Sequence, residues 1–537
     1  MPIERSLKRQ VISVASALLI SVLGACGGGG GGGGYSAPAA SPSAPAASPA
    51  ATASFSQPAA PITVNLGQAV ALSWTSTNST ACTAATSGAK GGGFSGGQSM
   101  TGSVSVVPTA PGSYTYTLSC SGGGGSGSAT TPAVTVMPSI LSALSSAGKI
   151  TSIGSTIDPI NGDQNPYGLA IAPKTAGLMT AGDLVVCNFN NGNSGAMPNT
   201  QGQGTTIIGL HPDAGSTPYR IAQSADLQGC AALTLSADDS ISAAAWSSNL
   251  NPLVDASGVV GTAFASDMFA NPWGEAYVPA TATQPAALYV SNAPPNHTTA
   301  ITAGGTIDRI ILDGDAQTTF TEVATGFCSS GSPGMIYGPS GLTYDASNDT
   351  LYVVDTSSAS VIAIEGISGV GKDGVVVAGQ CTGTAEPTPV PTFSGPSMAS
   401  VHVIAHGAPF NSPLSAALLK DGDLVVANAD IGLATPSTTT NLLIEVSPVL
   451  PGGFVGQPLQ LDTSTPGALF GLAATVDSQG NQIIYFNDDN AAAVMQLSSS
   501  SAGTSPTPYG ATFKGVADTY SGSGAAPVRG QRAPRSE

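Results

Sequence analysis

A repeat that occurs six times between residues 167 and 497 constrains the fold of this chain more than any other feature. Each copy has a small-residue turn, a short apolar strand, a polar turn, a second strand that ends in Asn or Asp, and a third strand. Residues 338–367 show the pattern most clearly, with the sequence GPSGLTYDASNDTLYVVDTSSASVIAIEGI. A strand-only unit of roughly 40 to 75 residues cannot bury its own apolar faces, so successive copies have to stack on one another.

The other copies keep the same order of strand, turn and strand, with Asp-Gly and Ser-Gly type turns beside the strands. They lie at residues 165–212, 230–246, 271–314, 413–448 and 469–497. Stacked repeats of this kind predict an all-β fold, a six-bladed β-propeller, at residues 145–512. In such a scaffold, chemistry is expected in the loops rather than in the strands.

The clearest copy resembles the repeat of NHL-type six-bladed propellers, which reads approximately Pro, Gly, Leu or Ile, Ala, then a turn and a Tyr-Val strand that ends in Asp. The matching residues are Pro339, Gly341, Leu342, Tyr352, Val353 and Asp355. Blade six has three strands of its own, and residues 150–157 form a strand-like segment ahead of blade one. We expect this segment to pair onto blade six and close the ring, with residues 511–516 as the alternative strand.

The N-terminus predicts export. Arg5, Lys8 and Arg9 precede an apolar run at residues 11–23, which is too short for a bilayer core that needs ~20 residues. The following Leu-Gly-Ala-Cys resembles a bacterial lipobox, in which residues 1–25 are the signal peptide and Cys26 is lipidated. The glycine after Cys26 implies, by the same resemblance, an outer-membrane lipoprotein of the cell envelope.

Between the lipobox and the propeller lie a linker and a small domain. Residues 26–54, rich in Gly, Pro, Ala and Ser, predict an extended tether. Residues 55–137 contain short alternating strands, Trp74 and two cysteines, and they resemble bacterial Ig-like or PKD-like β-sandwiches. Trp74 precedes the first cysteine, which departs from the antibody spacing. At the other end of the chain, residues 513–537 predict a disordered tail.

Six cysteines remain once Cys26 is assigned to lipid, an even number in an exported chain. The small domain contains one available pair. In the propeller, one pair joins the second strand of blade one to the first strand of blade two, and another follows the predicted outer strands of two consecutive blades. The predicted disulfides are Cys82–Cys120, Cys187–Cys230 and Cys328–Cys381. Metal binding is the rival interpretation, but no CxxC or Cys-His spacing supports it.

Composition restricts the partners. Charged residues make up 8% of the chain, and the formal net charge is −17. A chain without a basic patch does not neutralise phosphates, so nucleic-acid binding is excluded. We expect a monomer that reaches the membrane only through the Cys26 lipid and that binds a protein or glycan ligand.

In a propeller the ends of the second strands gather on one face, and this face is the predicted binding face. Amide and carboxylate oxygens near a central channel could hold Ca²⁺ or polyols there, although no cofactor is predicted outright. The alternative is that each Asn or Asp only closes its own turn. The candidate residues are Asp163, Asn165, Asn188, Asn190, Trp273, Glu275, Asn292, His297, Asp355, Asn428, Asp430, Asn487 and Asp488, with Asp163, Asn165, Trp273 and Glu275 placed in the loops that lead into the blades.

Two classes of function follow. The first is a surface lipoprotein whose propeller presents a binding face. The second is a propeller enzyme similar to gluconolactonases or streptogramin lyases, with a divalent metal at the channel mouth. The gluconolactonase pattern places a Glu at the entrance to the first blade, where this chain has Asp163, while Glu275 lies in blade three. No catalytic residue is assigned: His297 could act as a base, but the sequence shows no partner for it. We therefore favour the binding protein.

Overall fold

The computed structural model describes residues 47–499, except 89, 193–199, 266, 313–318, 334–336, 379–380, 382–387, 430–439 and 451, and it also describes the pair Tyr520–Ser521. The signal peptide, Cys26, Asp430 and the alternative closing segment 511–516 lie outside the described residues. No helix within the described part is long and apolar enough to cross a membrane.

The N-terminal module is built from strands alone. Its strands are β1 (Thr52–Gln57), β2 (Ile62–Asn65), β3 (Val70–Thr77), β4 (Ala81–Thr86), β5 (Gly96–Gln98), β6 (Thr101–Val106), β7 (Gly112–Tyr114), β8 (Tyr116–Gly122), β9 (Gly125–Thr130) and β10 (Val134–Met137). They form three sheets, in the orders β1-β3-β6, β2-β10-β7 and β5-β4-β8-β9. Alternating residues of β3 and β8 point into one core that includes Leu72, Trp74, Tyr116 and Leu118.

A short helix, α1 (Ile140–Ala147), leads from this module to the propeller. The hydroxyl of Ser139 caps it by accepting a hydrogen bond from the Ser142 amide. Leu141 and Leu144 are buried in the core of blades five and six. An eight-residue helix is not stable in isolation, so this packing stabilises it.

The propeller begins with β11 (Lys149–Ser155), and blade one follows as β12 (Gln164–Ile171), β13 (Leu184–Asn190), β14 (Thr206–Leu210) and β15 (Tyr219–Gln223). Blade two is β16 (Cys230–Leu235), β17 (Ile241–Ala245) and the short β18 (Leu253–Val254). Blade three is β19 (Pro272–Val278), β20 (Ala286–Asn292), β21 (Thr302–Leu312) and β22 (Thr319–Ser329). Each blade is an antiparallel meander.

Blade four differs from the prediction in its outer strand. Its first strands are β23 (Pro339–Asp345), β24 (Thr350–Asp355) and β25 (Ser360–Glu365). The next two, β26 (Val375–Ala378) and β27 (Thr392–Ser394), leave the blade, because β26 pairs in parallel with β22 of blade three. The segment before Cys381 is therefore not the outer strand of blade four. That strand is β28 (Val401–His406), which pairs with β25.

The last two blades close the ring. Blade five is β29 (Pro413–Leu418), β30 (Leu424–Asn428), β31 (Leu442–Val446) and β32 (Phe454–Gln460), and blade six is β33 (Leu469–Val476), β34 (Gln482–Asp488) and β35 (Ala493–Ser498). The N-terminal strand β11 pairs antiparallel with β35 as the fourth strand of blade six, which confirms the predicted closure. The first strand of each blade lies against that of the next, and β33 lies against β12, so the six blades form a closed propeller. A two-residue strand, β36 (Tyr520–Ser521), pairs with β19 and β23.

The structure contains all three predicted disulfides. Cys82 and Cys120 face each other on the neighbouring strands β4 and β8 of one sheet. Cys187 lies in the middle of β13 rather than at its end, and its bond to Cys230 joins blades one and two. The Cys328–Cys381 bond ties β22 to the residues after β26, so it fixes the excursion of blade four onto blade three.

Candidate binding face

The ring has two faces. We call the face at which the first strand of each blade begins and the second strand ends the mouth face, and the opposite one the hairpin face. Strand register places five of the predicted residues at equivalent positions on the mouth face, because each ends its second strand opposite the start of the first: Asn190, Asn292, Asp355, Asn428 and Asp488. The repeat therefore produces a true structural ring of amides and carboxylates.

The side chains of this ring are buried and form hydrogen bonds with backbone amides and with neighbouring side chains. The Oδ1 atoms of Asn292 and Asn428 accept hydrogen bonds from the Ala270 and Asn411 amides, in the loops that lead into blades three and five. The remaining three bind the loop that follows their own strand: Asn190 through Gly202, Asp355 through Ser357 and Ser358, and Asp488 through Ala491. These bonds hold the mouth loops in place, as in the turn-closing alternative. Ligand binding by this ring stays a prediction.

Asp163 holds both ends of the loop after β13. Its Oδ1 accepts from the Gly192 amide at 3.3 Å, and its Oδ2 accepts from the Thr205 amide at 2.7 Å. The carboxylate is buried, and it fixes the base of the largest mouth loop of blade one. Asn165 follows as the second residue of β12, with a positive φ of 67° that Asn tolerates better than most side chains.

Two further Asn side chains point across the inner strands. Asn188 donates through Nδ2 to Thr206 Oγ1, and Asn487 donates to the Tyr167 carbonyl. Among the described residues, the Oδ1 atoms of Asn165, Asn188 and Asn487 have no hydrogen-bond partner. Buried carbonyl oxygens of this kind are normally satisfied by ordered water or by a ligand.

Aromatic rings fill the mouth of the channel. Tyr167 is stacked between Phe189 and Phe470, at centroid distances of 4.3 and 4.4 Å. Phe189 then meets the ring of Trp246 edge to face at 6.0 Å, and Trp273 belongs to the same buried cluster. These buried rings form an apolar cluster at the mouth-face end of the inner strands.

Like Asn165, which lies in β12, Trp273 and Glu275 are placed differently from the prediction. Both belong to strand β19 and not to a loop. Glu275 is fully buried, and its Oε1 accepts a hydrogen bond from Asn251 of blade two at 3.1 Å. Burial raises the pKa of Glu275 to about 7. Glu275 therefore belongs to the contact between blades two and three.

His297 has a partner that the sequence did not reveal. Its backbone amide donates to Asn271 Oδ1 at 3.0 Å, and Asn271 Nδ2 lies 3.2 Å from His297 Nδ1. Because Nδ2 is the donor, Nδ1 is the acceptor and the ring proton resides on Nε2. The ring also hydrogen-bonds the Ser247 backbone. Desolvation lowers the pKa of this histidine, which favours the neutral ring. The ring lies edge to face on Trp246 at 5.2 Å and is exposed at the mouth.

The loops after the second strands differ in length around the ring. Blades four and six have tight turns at residues 356–359 and 489–492. Blades one, three and five have more residues between the second and third strands, at 191–205, 293–301 and 429–441, and much of the first and last of these segments lies outside the described residues. Long polar loops on a rigid scaffold are where propellers carry recognition.

One group of three carboxylates close enough to share a cation occurs within the described residues, and it lies on the hairpin face of blade five. It consists of Asp421, Asp423 and Glu445. Sequence reasoning expected cation-binding oxygens at the channel mouth and missed this group. Its signal was the Asp-Gly-Asp turn, but Glu445 joins only through strand pairing.

Comparison with solved structures gives similar folds at low identity. A catalytically inactive virginiamycin B lyase from Staphylococcus aureus is 13% identical, with 65% of this chain and 99% of that chain covered and a TM-score of 0.37. A gluconolactonase from Xanthomonas campestris is 14% identical, with 66% and 98% covered and a TM-score of 0.35. The calcium-binding protein regucalcin from Agrobacterium tumefaciens is 13% identical, with 64% and 93% covered and a TM-score of 0.36. No protein-family model and no curated protein sequence matches the chain.

Proposed function

We propose that this chain is a lipoprotein of the bacterial cell envelope whose propeller binds a glycan at its mouth face. The observation that carries the proposal is the exposed His297 ring, which Asn271 and Trp246 hold in one orientation at the mouth. A fixed and exposed aromatic ring offers a sugar an apolar surface on which to stack.

The surrounding loops support a polyhydroxylated ligand over a charged one. Residues 191–205 read NGNSGAMPNTQGQGT and residues 293–301 read APPNHTTAI, so neither segment contains Asp, Glu, Lys or Arg. Amide and hydroxyl groups can both donate to and accept from sugar hydroxyls. Residues 293–301 of blade three, which include His297, would contact the ligand.

The anchoring part of the proposal rests on the first 54 residues. A charged start, a short apolar run and the lipobox-like sequence at Cys26 support lipidation, and the tether at residues 26–54 would hold the folded part away from the bilayer. Outer-membrane sorting belongs to the same proposal, as do the Ig-like character of the N-terminal module and the NHL-like character of the repeat.

Glycan binding can be tested with the secreted Cys26→Ser chain on an array of bacterial and host polysaccharides. His297 has a positive φ of 51°, so His297→Asn removes the ring while keeping a residue that tolerates this backbone. We expect His297→Asn to weaken binding by at least tenfold. The matched control is His402→Asn, a half-exposed histidine on the outer strand β28, which should bind like the parent. An array without signal above background, or equal loss in both variants, would refute the proposal.

Lipidation needs a separate test. Metabolic labelling with a clickable palmitate analogue should mark the full-length chain, and the label should disappear in Cys26→Ser. Label that persists in this variant would show that Cys26 is not the acceptor. Fractionation of the labelled envelope on a sucrose gradient then tests the outer-membrane assignment.

A further inference from the structure

We propose that Asp421, Asp423 and Glu445 bind a calcium ion on the hairpin face of blade five, and that this ion locks the N-terminal module and helix α1 onto the propeller. The site is separate from the mouth face, and the inference does not depend on glycan binding.

The fold brings the three carboxylates together from two places in the chain. Asp421 and Asp423 lie in the hairpin between β29 and β30, and Glu445 lies on β31, paired with Val425. One oxygen from each carboxylate lies within 4.8 Å of the other two. Asp423 and Glu445 are 7% and 1% exposed. Three carboxylates at this separation repel one another strongly when solvent is largely excluded, and a cation removes that repulsion.

The carboxylates keep ligand capacity despite their protein contacts. Glu445 Oε1 accepts from the Ile140 amide at 3.1 Å, and Oε2 accepts from the Leu141 amide at 2.6 Å. Asp421 Oδ2 accepts from the side-chain amide of Asn65 at 3.2 Å. Each carboxylate oxygen has two lone pairs, so each can accept one hydrogen bond and still coordinate an ion.

A fourth oxygen faces the same place. Ser447 is completely buried, and among the described residues its hydroxyl oxygen has no hydrogen-bond partner of acceptable geometry. It nevertheless lies close enough to Asp423 to oppose the rise in the pKa of that carboxyl group. A buried hydroxyl beside a carboxylate, without a hydrogen bond of acceptable geometry, is suited to be a neutral ligand.

The donor set selects the class of metal. All the available ligand atoms are oxygens, three of them anionic, which suits a hard cation such as Ca²⁺ and disfavours zinc, for which nitrogen and sulfur ligands are usual. The ligands come from a hairpin turn and a strand. Ca²⁺ accepts irregular arrangements of oxygen ligands, whereas Mg²⁺ requires near-ideal octahedral geometry, so this origin of the ligands favours Ca²⁺.

The site lies where the N-terminal module and helix α1 contact the propeller, so a bound ion would affect this contact. Asn65 is the last residue of β2 in the N-terminal module, and Ile140 and Leu141 lie in the first turn of α1, so the module, the helix and blade five meet at the carboxylates. Leu66 of the module also packs with Leu450 and Val455 of blade five. Neutralising the carboxylates should therefore stabilise the docking of the module.

The test uses the full mature chain, carrying Cys26→Ser and stripped with EDTA. Thermal unfolding is followed during titration with CaCl₂ or MgCl₂, and bound calcium is counted by elemental analysis after desalting. We expect a rise in the melting temperature with CaCl₂ and about one retained calcium per chain. Asp423→Asn should lose both effects, while Asp373→Asn, an exposed acidic residue on another blade, should keep them.

The behaviour in EDTA separates metal binding from a merely structural role. Without metal, Asp423→Asn should be at least as stable as the parent, because it removes a buried negative charge. Hydrogen–deuterium exchange at residues 140–147 should slow on addition of calcium in the parent and stay unchanged in Asp423→Asn. No calcium-dependent shift in the parent, an equal shift in Asp423→Asn, or a shift with MgCl₂ alone would overturn the proposal.

Discussion

The side-chain amide of Asn487 donates a hydrogen bond to the Tyr167 carbonyl oxygen at 3.1 Å, across 320 positions of sequence. It also reaches the Gly168 carbonyl at 3.2 Å. This contact ties the second strand of blade six to the first strand of blade one. Hydroxyl groups do the same between other blades: Ser340 donates to Leu414, and Ser415 donates to Phe470. Polar side chains on the inner strands thus fasten neighbouring blades around the channel.

Replacing Asn487 with Ala should destabilise the propeller by ~1 to 3 kcal/mol. Asn487 is fully buried, and the substitution removes the hydrogen-bond donor to two buried carbonyl oxygens. Urea unfolding of the secreted chain measures this. Gln284→Ala, at an exposed hairpin, is the control and should change the free energy of unfolding by less than ~0.5 kcal/mol. Equal effects of both substitutions would show that the inter-blade contact contributes nothing to stability.

Two isoleucines of the closing strand β11 differ in burial and can be compared directly. Ile153 of β11 is 0% exposed and packs with Tyr485 and Val494 of blade six, whereas Ile150 on the same strand is 40% exposed. We expect Ile153→Ala to cost ~2 to 5 kcal/mol, and Ile150→Ala much less. Thermal unfolding of the two variants tests the closure. If Ile150→Ala proves as damaging as Ile153→Ala, β11 does not pack as the fourth strand of blade six.

The sequence was sufficient for the blades because the strand-turn-strand pattern recurs in all six copies and the Asn or Asp at the end of the second strand recurs in five of them, blade two ending this strand with Ala245. The sequence also predicted the role of β11, because residues 150–157 form a strand outside every copy of the repeat and blade six lacks a fourth strand of its own. The excursion of β26 and β27 could not be predicted. Val375–Ala378 is an ordinary apolar strand, and only its parallel pairing with β22 assigns it to the neighbouring blade.

The site was less predictable for a physical reason. The position of Asn292 follows from the repeat, but its partner is an amide in a loop of irregular sequence. His297 and Asn271 are likewise 26 residues apart, and no local pattern indicates that they meet. Glu445 joins Asp421 only when β31 pairs with β30 and α1 docks. Side-chain partners set by long-range packing are not encoded in local periodicity.

The disulfide of the N-terminal module should stabilise that module alone. Cys82 and Cys120 are separated by 38 positions, so closing this loop should contribute ~3 to 4 kcal/mol in the chain-entropy view. Replacing both with Ser should speed hydrogen–deuterium exchange in β4 and β8 and leave blade one unchanged. The Cys187→Ser, Cys230→Ser double variant is the reciprocal control, with faster exchange in β13 and β16. Non-reducing peptide maps that join the module to the propeller would contradict the pairing.

Glu275 should make the stability of the propeller depend on pH. Its pKa in the folded state is about 7, above the 4.5 of an ordinary glutamate, because the side chain is buried between blades two and three. The folded state then binds the proton more tightly than the unfolded state, so stability is lost as pH rises from ~4.5 to ~7. Glu275→Gln stays neutral and keeps an oxygen for the Asn251 amide. We expect it to match the parent near pH 4.5 and to be more stable above pH 7, by on the order of 3 kcal/mol.

Urea unfolding at a series of pH values from 4.5 to 8 measures the difference. The Glu275→Gln variant should keep part of the pH dependence of the free energy of unfolding, because burial also raises the pKa of Asp308 to about 7 and that of Asp239 to about 6. Glu365→Gln is the control, since this side chain is 60% exposed on β25 and the substitution should change the free energy of unfolding by less than ~0.5 kcal/mol. A Glu275→Gln profile that runs parallel to the parent would show that Glu275 does not take up a proton on folding in this range. The buried carboxyl would then be ionised at pH 7 and stabilised by its hydrogen bonds, which include those from Asn251 and Ser242.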